Sequence, residues 1–171
     1  RDNRYHPYTM DKLIELMVCI KSIIPNYVRI SRVMRDIPPQ FIVAGCRDLA
    51  LRSFVKQRME ESNIRCHCIR CREYGHRRRD GWKIGKPRLK RMDYHASQGK
   101  EIFLSFEDEQ ETLFGLLRLR IGSSMPDNET VAMVRELHIF GSEVPLGTQL
   151  DDAAQHKGLG GRLLKEAERI S

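Results

Sequence analysis

Gln155-His156-Lys157-Gly158-Leu159-Gly160-Gly161 runs directly into Arg162-Leu163-Leu164-Lys165-Glu166-Ala167-Glu168-Arg169-Ile170. The first part is a glycine-rich turn. In the second, Leu163, Leu164, Ala167 and Ile170 recur at helical spacing and predict one buried face. Backbone N–H groups at a helix start have no partner within the helix, and the helix dipole adds positive potential there. Glycines allow close approach of an anion, so this turn can cradle a pyrophosphate. An ordinary glycine turn before a helix has the same sequence, so the flanking chain has to decide.

Upstream, the pattern changes to strands. Leu89 to Ala96, Ile102 to Phe106, Thr112 to Ile121 and Val131 to Gly141 each read as extended. The acidic turn Glu107-Asp108-Glu109-Gln110-Glu111 joins the middle two into an antiparallel hairpin. In Arg135-Glu136-Leu137-His138-Ile139-Phe140-Gly141, alternation puts Leu137 and Ile139 on one face and Glu136, His138 and Phe140 on the other. Such a strand beside a glycine turn can offer backbone groups to a ligand, with Glu136 or His138 available for proton transfer.

Before the strands, Arg65 to Pro87 is short of aliphatic residues and reads as a bridge between two parts of the chain. The net charge of +7 concentrates here. From Arg65 to Arg91, eleven basic residues, Arg65, Arg70, Arg72, Arg77, Arg78, Arg79, Lys83, Lys86, Arg88, Lys90 and Arg91, stand against Glu73 and Asp80. A stripe of that density attracts phosphate backbones. Within it, Cys66-His67-Cys68-Ile69-Arg70-Cys71 gathers three thiols that can meet on one zinc-like ion, and surrounding positive charge favours the thiolate. A closed site needs a fourth ligand. Cys46, His67, His76 and His95 are the candidates, and spacing does not choose among them.

The N-terminal part predicts a helix over 8–24, capped by Thr9, with Met10, Leu13, Ile14, Met17, Ile20 and Ile24 on one face. A half-buried strand is predicted over Tyr27 to Val33 and a second helix over 47–61. Five cysteines, three of them bunched, do not read as a secreted disulfide framework. No apolar run reaches membrane-span length, no signal-peptide pattern is present, and the first residue is Arg, so a portion of a longer cytoplasmic protein is expected.

An antiparallel sheet, a strand with an ionisable pair, a glycine turn and a helix together resemble the acetyl-CoA-binding core of the Gcn5-related N-acetyltransferases. Gln155, Gly158 and Gly160 match that family's Gln/Arg-x-x-Gly-x-Gly/Ala pattern. Further motifs sharpen the likeness: Arg32-Val33-Met34-Arg35-Asp36-Ile37-Pro38, Arg70-Cys71-Arg72-Glu73, Gly115 to Arg120, Arg135 to Gly141, His156 to Gly160 and Glu166 to Ile170. In this order they resemble the family of Elongator catalytic subunits, along essentially the whole chain.

That resemblance implies an α+β chain in three parts. Residues 1–64 would be the tail of a radical S-adenosylmethionine α/β domain, and 65–87 a cysteine-rich metal-binding linker. Residues 88–171 would form a partial acetyltransferase domain. The family uses acetyl-CoA to modify carbon 5 of the wobble uridine of tRNA, and other Elongator subunits are implied partners. The acetyl-CoA site would comprise Glu136, Leu137, His138, Ile139, Gln155, Lys157, Gly158, Leu159, Gly160 and Gly161, with Glu136 and His138 as catalytic candidates. The basic stripe would grip tRNA. Cys66, Cys68 and Cys71, with Cys46, would hold zinc. The iron–sulfur cluster and S-adenosylmethionine would belong to a preceding region, because C-x-C-x-x-C does not match the family's cluster motif. Family members also continue past the last helix with elements that complete the acetyl-CoA site, so full turnover is not expected of these residues alone. Two other classes share parts of this pattern. A lysine (histone) acetyltransferase would need a peptide groove, and a non-enzymatic zinc-knuckle nucleic-acid-binding module would not bind acetyl-CoA.

Overall fold

The structure, a computed structural model, describes residues 6–34, 37–123, 129–141 and 158–171. The chain divides into two units, residues 1–71 and 72–171.

In the first unit, α1 (Met10–Ile23) begins where the Thr9 hydroxyl accepts the Lys12 N–H, and Pro25 follows its end. The helix α2 (Leu51–Glu61) starts four residues later than the sequence pattern suggests. Asp48 turns the chain first, its carboxylate accepting the Ala50 N–H at 2.8 Å. The two helices pack through Ile14, Leu51, Val55 and Met59, with Met10, Leu13, Met17, Val33 and Ile64 around them. The strand expected over Tyr27–Val33 does not form. That segment gives its backbone to other partners: the Val28 carbonyl accepts the Ile69 N–H at 2.9 Å, and Arg52 donates to the carbonyls of Ile30 and Ser31. Alternation reports a half-buried face, and here a loop and a helix bury it in place of a ladder.

The short helix α3 (Ile69–Arg72) closes the first unit, its last residue being the first of the second, and α4 (Tyr74–Arg79) follows within the second unit. Four strands follow, β1 (Arg88–Ala96), β2 (Gly99–Glu107), β3 (Leu113–Ser123) and β4 (Thr130–Ile139), paired antiparallel in sequence order. The helix α5 (Leu159–Ile170) covers one face. Its stripe is Leu159, Leu163 and Ala167, packed on Ile102, Leu104, Phe106, Phe114, Leu117 and Leu119. Spacing of four and eight residues turns Leu164 outward instead, to 39% exposure. Burying each such leucine contributes about 1.5–3 kcal/mol.

The acidic hairpin turn is not a solvated loop. Asp108 Oδ1 accepts the N–H groups of Gln110 and Thr112, and its other oxygen accepts the N–H of Gly85. Glu107 is buried and meets Arg72 at 2.7 Å, Lys90 at 3.2 Å and the Ser105 hydroxyl at 2.8 Å. Burial alone would raise the Glu107 pKa. The charge and hydrogen bond of Arg72, with Ser105 and Lys90, outweigh it and hold the carboxyl below its ordinary 4.5. This contribution to stability is therefore present above pH 4.5 and fades as the pH falls through the folded-state value. Arg72→Met should destabilise the protein by about 3–5 kcal/mol at neutral pH, because a buried charge loses its main partner. Urea unfolding at neutral and acidic pH should show the gap between variant and parent narrowing in acid.

Candidate functional site

Two local arrangements carry chemistry, one in each unit. In the second unit, β4 runs toward the start of α5. A β-bulge lies opposite Arg118/Leu119: Glu136 pairs with Arg118 and Val134 with Leu119, leaving Arg135 as the extra residue. Arg135 Nη1 reaches Glu101 Oε1 at 2.8 Å, beside Arg120 at 2.7 Å. Beyond the bulge, Leu137 stands opposite Leu117 on the α5 side of the sheet, with Ile139 packed against the same core. Glu136 and His138 take the other face. There Glu136 is ion-paired with Arg118 at 2.6 Å, and the His138 ring packs against Phe140 in a tilted arrangement with ring centroids 4.4 Å apart. Neither catalytic candidate contacts the other in this arrangement; each is held by a neighbour of its own.

Two glycines fit around Ile139. A Cβ on Gly115 would fall 2.5 Å from Ile139 Cδ1 and 3.1 Å from the His138 carbonyl oxygen. A Cβ on Gly160 would meet Ile139 Cγ1 at 3.7 Å, ordinary contact distance. The first turn of α5 thus lies against the end of β4. Gly158 precedes α5 at φ +63°, a conformation L side chains rarely adopt, and its carbonyl accepts the Arg162 N–H at 3.1 Å. The backbone N–H groups of Leu159, Gly160 and Gly161 are the helix-start donors, and there is open space where a Gly161 side chain would stand. The Leu159 side chain is in the core, so only its backbone can face a ligand. Gln155 and Lys157 lie outside the described residues.

In the first unit, the sulfurs of Cys66, Cys68 and Cys71 lie within 4.8 Å of one another. The loop is tied by the Ile69 N–H to Val28 and by the Cys71 N–H to the Cys68 carbonyl at 3.1 Å. Cys68 is fully buried. Hydrogen bonds from the Cys66 and Cys71 thiols hold the Cys68 thiol far below its ordinary range, while those bonds and burial push Cys71 up. Three sulfurs this close together, one of them fully buried, are the donor set a soft or borderline cation takes up, so the residues fit a zinc-type ion. Cys46 does not belong to the group. Its sulfur lies 3.6 Å from Met10 Sδ, at the start of α1, whereas Cys66 and Cys71 meet Lys21 near the helix end. Eleven helical residues separate those points by roughly 16 Å.

Lys21 is the group that the sequence reading missed. Its Nζ lies 3.3 Å from Cys66 Sγ and 3.5 Å from Cys71 Sγ, with the residue only 5% exposed. Burial by itself would lower its pKa; the charges at Cys71 and Cys66 reverse this and raise it. Its signal was position: Lys21 follows Met10, Ile14 and Met17 on the apolar stripe of α1.

The basic candidates separate into two kinds. Arg72 and Arg77 are buried and are not available to phosphates. Arg77 donates to the Gln110 carbonyl and to Thr112 Oγ1, and lies 4.4 Å over the Trp82 ring. On the strand edge, Arg88, Lys90 and Arg91 pair with Glu109, Glu107 and Asp93. Arg65, Arg78, Arg79, Lys83 and Lys86 are exposed, with Arg78 bonded to Tyr74 and Arg79 beside His76; Arg70 is half-buried.

Comparison with known proteins fits both halves. The Radical_SAM C-terminal domain family matches residues 1–61. A tRNA uridine(34) acetyltransferase of Dehalococcoides mccartyi is 53% identical over 100% of this chain and 38% of its own length. Elongator complex protein 3 of Mus musculus is 39% identical, over 100% of this chain and 32% of its own length. The solved structure of the archaeal Methanocaldococcus infernus Elp3 with an N-terminal deletion superposes with a TM-score of 0.83 at 42% identity, covering 97% of this chain and 41% of that one. The chain is a homologue of these proteins. It spans about a third of the length of the curated relatives it matches. The antiparallel sheet with its helix, the radical-SAM-type N-terminal part and the cysteine cluster all accord with the homology, as does the α+β class expected from the sequence.

The cysteine geometry gives a direct test. Adding one equivalent of Zn(II) to the reduced protein should withdraw the thiols of Cys66 and Cys71 together from Ellman's reagent, leaving Cys19 and Cys46 reactive. A chelator should return both together.

Proposed function

We propose that this chain is part of an Elongator-type tRNA-modifying acetyltransferase, which uses acetyl-CoA to modify carbon 5 of the wobble uridine in the cytoplasm. The observation that carries the reading is the first turn of α5 lying against Ile139 at the end of β4, in a chain homologous from end to end to tRNA uridine(34) acetyltransferases. In this reading the N–H groups of Leu159, Gly160 and Gly161 bind the pyrophosphate of acetyl-CoA. The backbone of Leu137 to Ile139 holds the pantetheine arm. Glu136 and His138 face away from the α5 side, so a role in proton transfer requires the acceptor to approach that face. S-adenosylmethionine and an iron–sulfur cluster are cofactors of the radical-SAM part to which residues 1–61 are related, and C-x-C-x-x-C is assigned to neither. The cysteine trio holds a structural zinc ion, which would fix the loop from Cys66 to Cys71. Partners are tRNA and, in proteins of the Elongator complex type, other subunits of that assembly. No helix of the described residues is long and apolar enough to cross a membrane.

Substituting Gly161 separates ligand binding from folding. Gly161→Glu should preserve α5 or stabilise it by about 1 kcal/mol, because Glu favours helix over Gly and suits a helix start. The same carboxylate faces the pyrophosphate, so acetyl-CoA affinity measured by calorimetry on the whole protein should fall at least tenfold. Unchanged affinity would remove the pyrophosphate from this turn.

For tRNA, the exposed Arg78, Arg79, Lys83 and Lys86 are the phosphate contacts of the second unit in this reading, and Arg72 and Arg77 are left to the core. Changing the four to Ala should weaken tRNA binding at all sequences and reduce the slope of log affinity against log salt by roughly 0.7–0.9 per lost contact. A slope equal to that of the parent would exclude them.

A further inference from the structure

Three thiolates around a divalent cation carry a net charge of minus one. Here that charge would sit in a setting where Cys68 is fully buried and Lys21 is 5% exposed. An uncompensated buried charge is strongly disfavoured, so such a site needs a positive group at hand. Lys21 supplies it from the last turn of α1, on the stripe that Ile14 and Met17 occupy earlier in the helix. Its Nζ meets Cys66 and Cys71, at 3.3 and 3.5 Å, along one edge of the sulfur triangle. A fourth ligand would cap all three sulfurs equally, whereas an N–H donor approaches one edge. The geometry is that of a donor.

We propose that Lys21 is the charge-compensating partner of the metal-bound Cys66–Cys68–Cys71 set, its buried ammonium donating N–H···S hydrogen bonds to the Cys66 and Cys71 thiolates while they hold the ion. The proposal rests on the assignment of a metal to these cysteines. Groups that orient and neutralise metal ligands from outside typically change metal affinity by 10–100-fold when removed. Lys21 is thus a positioning residue for the metal and not a ligand to it.

The test uses Co(II) and Zn(II) alone, with a chelator as competitor. Lys21→Met fills the same space without charge or donor, and its Zn(II) affinity should fall about 10–100-fold. Lys21→Arg keeps both charge and donors and should stay within a few-fold of the parent, with the same Co(II) ligand-field and thiolate charge-transfer bands. Lys21→Gln, a donor without charge, should fall between them and keeps the test open if the Met variant does not fold. Parent-like affinity in both the Met and Gln variants would overturn the proposal. So would an Arg variant as weak as Met with altered Co(II) bands, since that result makes Lys21 a direct ligand. A parent protein that binds neither ion would instead remove the metal assignment on which the proposal stands.

Discussion

A buried carboxylate that must stay charged governs the second unit. Glu107 closes β2 beside the hairpin turn and is 3% exposed, so its charge has to be met by groups brought from elsewhere in the sequence. Arg72 comes from thirty-five residues upstream and Lys90 from the neighbouring strand. The same turn also receives the Gly85 N–H on Asp108 and the Arg77 guanidinium on Gln110 and Thr112. Four separate points of the basic segment thereby converge on one acidic turn. The segment before β1 contains few aliphatic residues, and polar bonds to this turn do the fixing that a hydrophobic core does elsewhere.

This convergence changes the meaning of the basic stripe. Counted along the sequence, eleven cations read as one electrostatic surface. In the fold, Arg72 and Arg77 are internal, and Arg88, Lys90 and Arg91 are matched by Glu109, Glu107 and Asp93. The acidic run Glu107–Glu111 carried much of the information, because it answers Arg72, Arg88 and Lys90. Local charge density cannot show which cations answer acids distant in sequence. The remaining exposed cations still leave positive potential, over a smaller set of side chains.

Elements with a single strong periodic signal were legible in the sequence. The helices α1 and α5 and all four strands fall within a few residues of the expected ranges. The extended stretch after α1 was not, since its alternation marks burial and a loop supplied the partner. In α5 the period was right and the face was shifted: Leu159 replaced Leu164 as the buried residue. A glycine turn that brings its first helical residue into the core cannot be told from spacing. The bulge at Arg135 was equally invisible, because the partner of its extra residue is Glu101 on β2, thirty-four residues away.

The cysteine loop shows how far chemistry alone can be read. Three thiols close in sequence are close in space almost by necessity, so the trio was accessible. Its surroundings were not, since a buried neighbour arrives from any direction. Cys46 had the right chemistry at the wrong end of α1, and Lys21 had an unexpected chemistry at the right end. A lysine on an apolar helical stripe is the kind of local inconsistency that a fold tolerates only where something else compensates it. Here the compensation is mutual. In the proposed metal-bound set the thiolates stabilise the ammonium in its buried place, and the ammonium offsets the negative charge that three thiolates leave around a divalent ion. A substitution on either side therefore disturbs the other, and for this reason metal affinity, more than folding, is the quantity in which the role of Lys21 becomes visible.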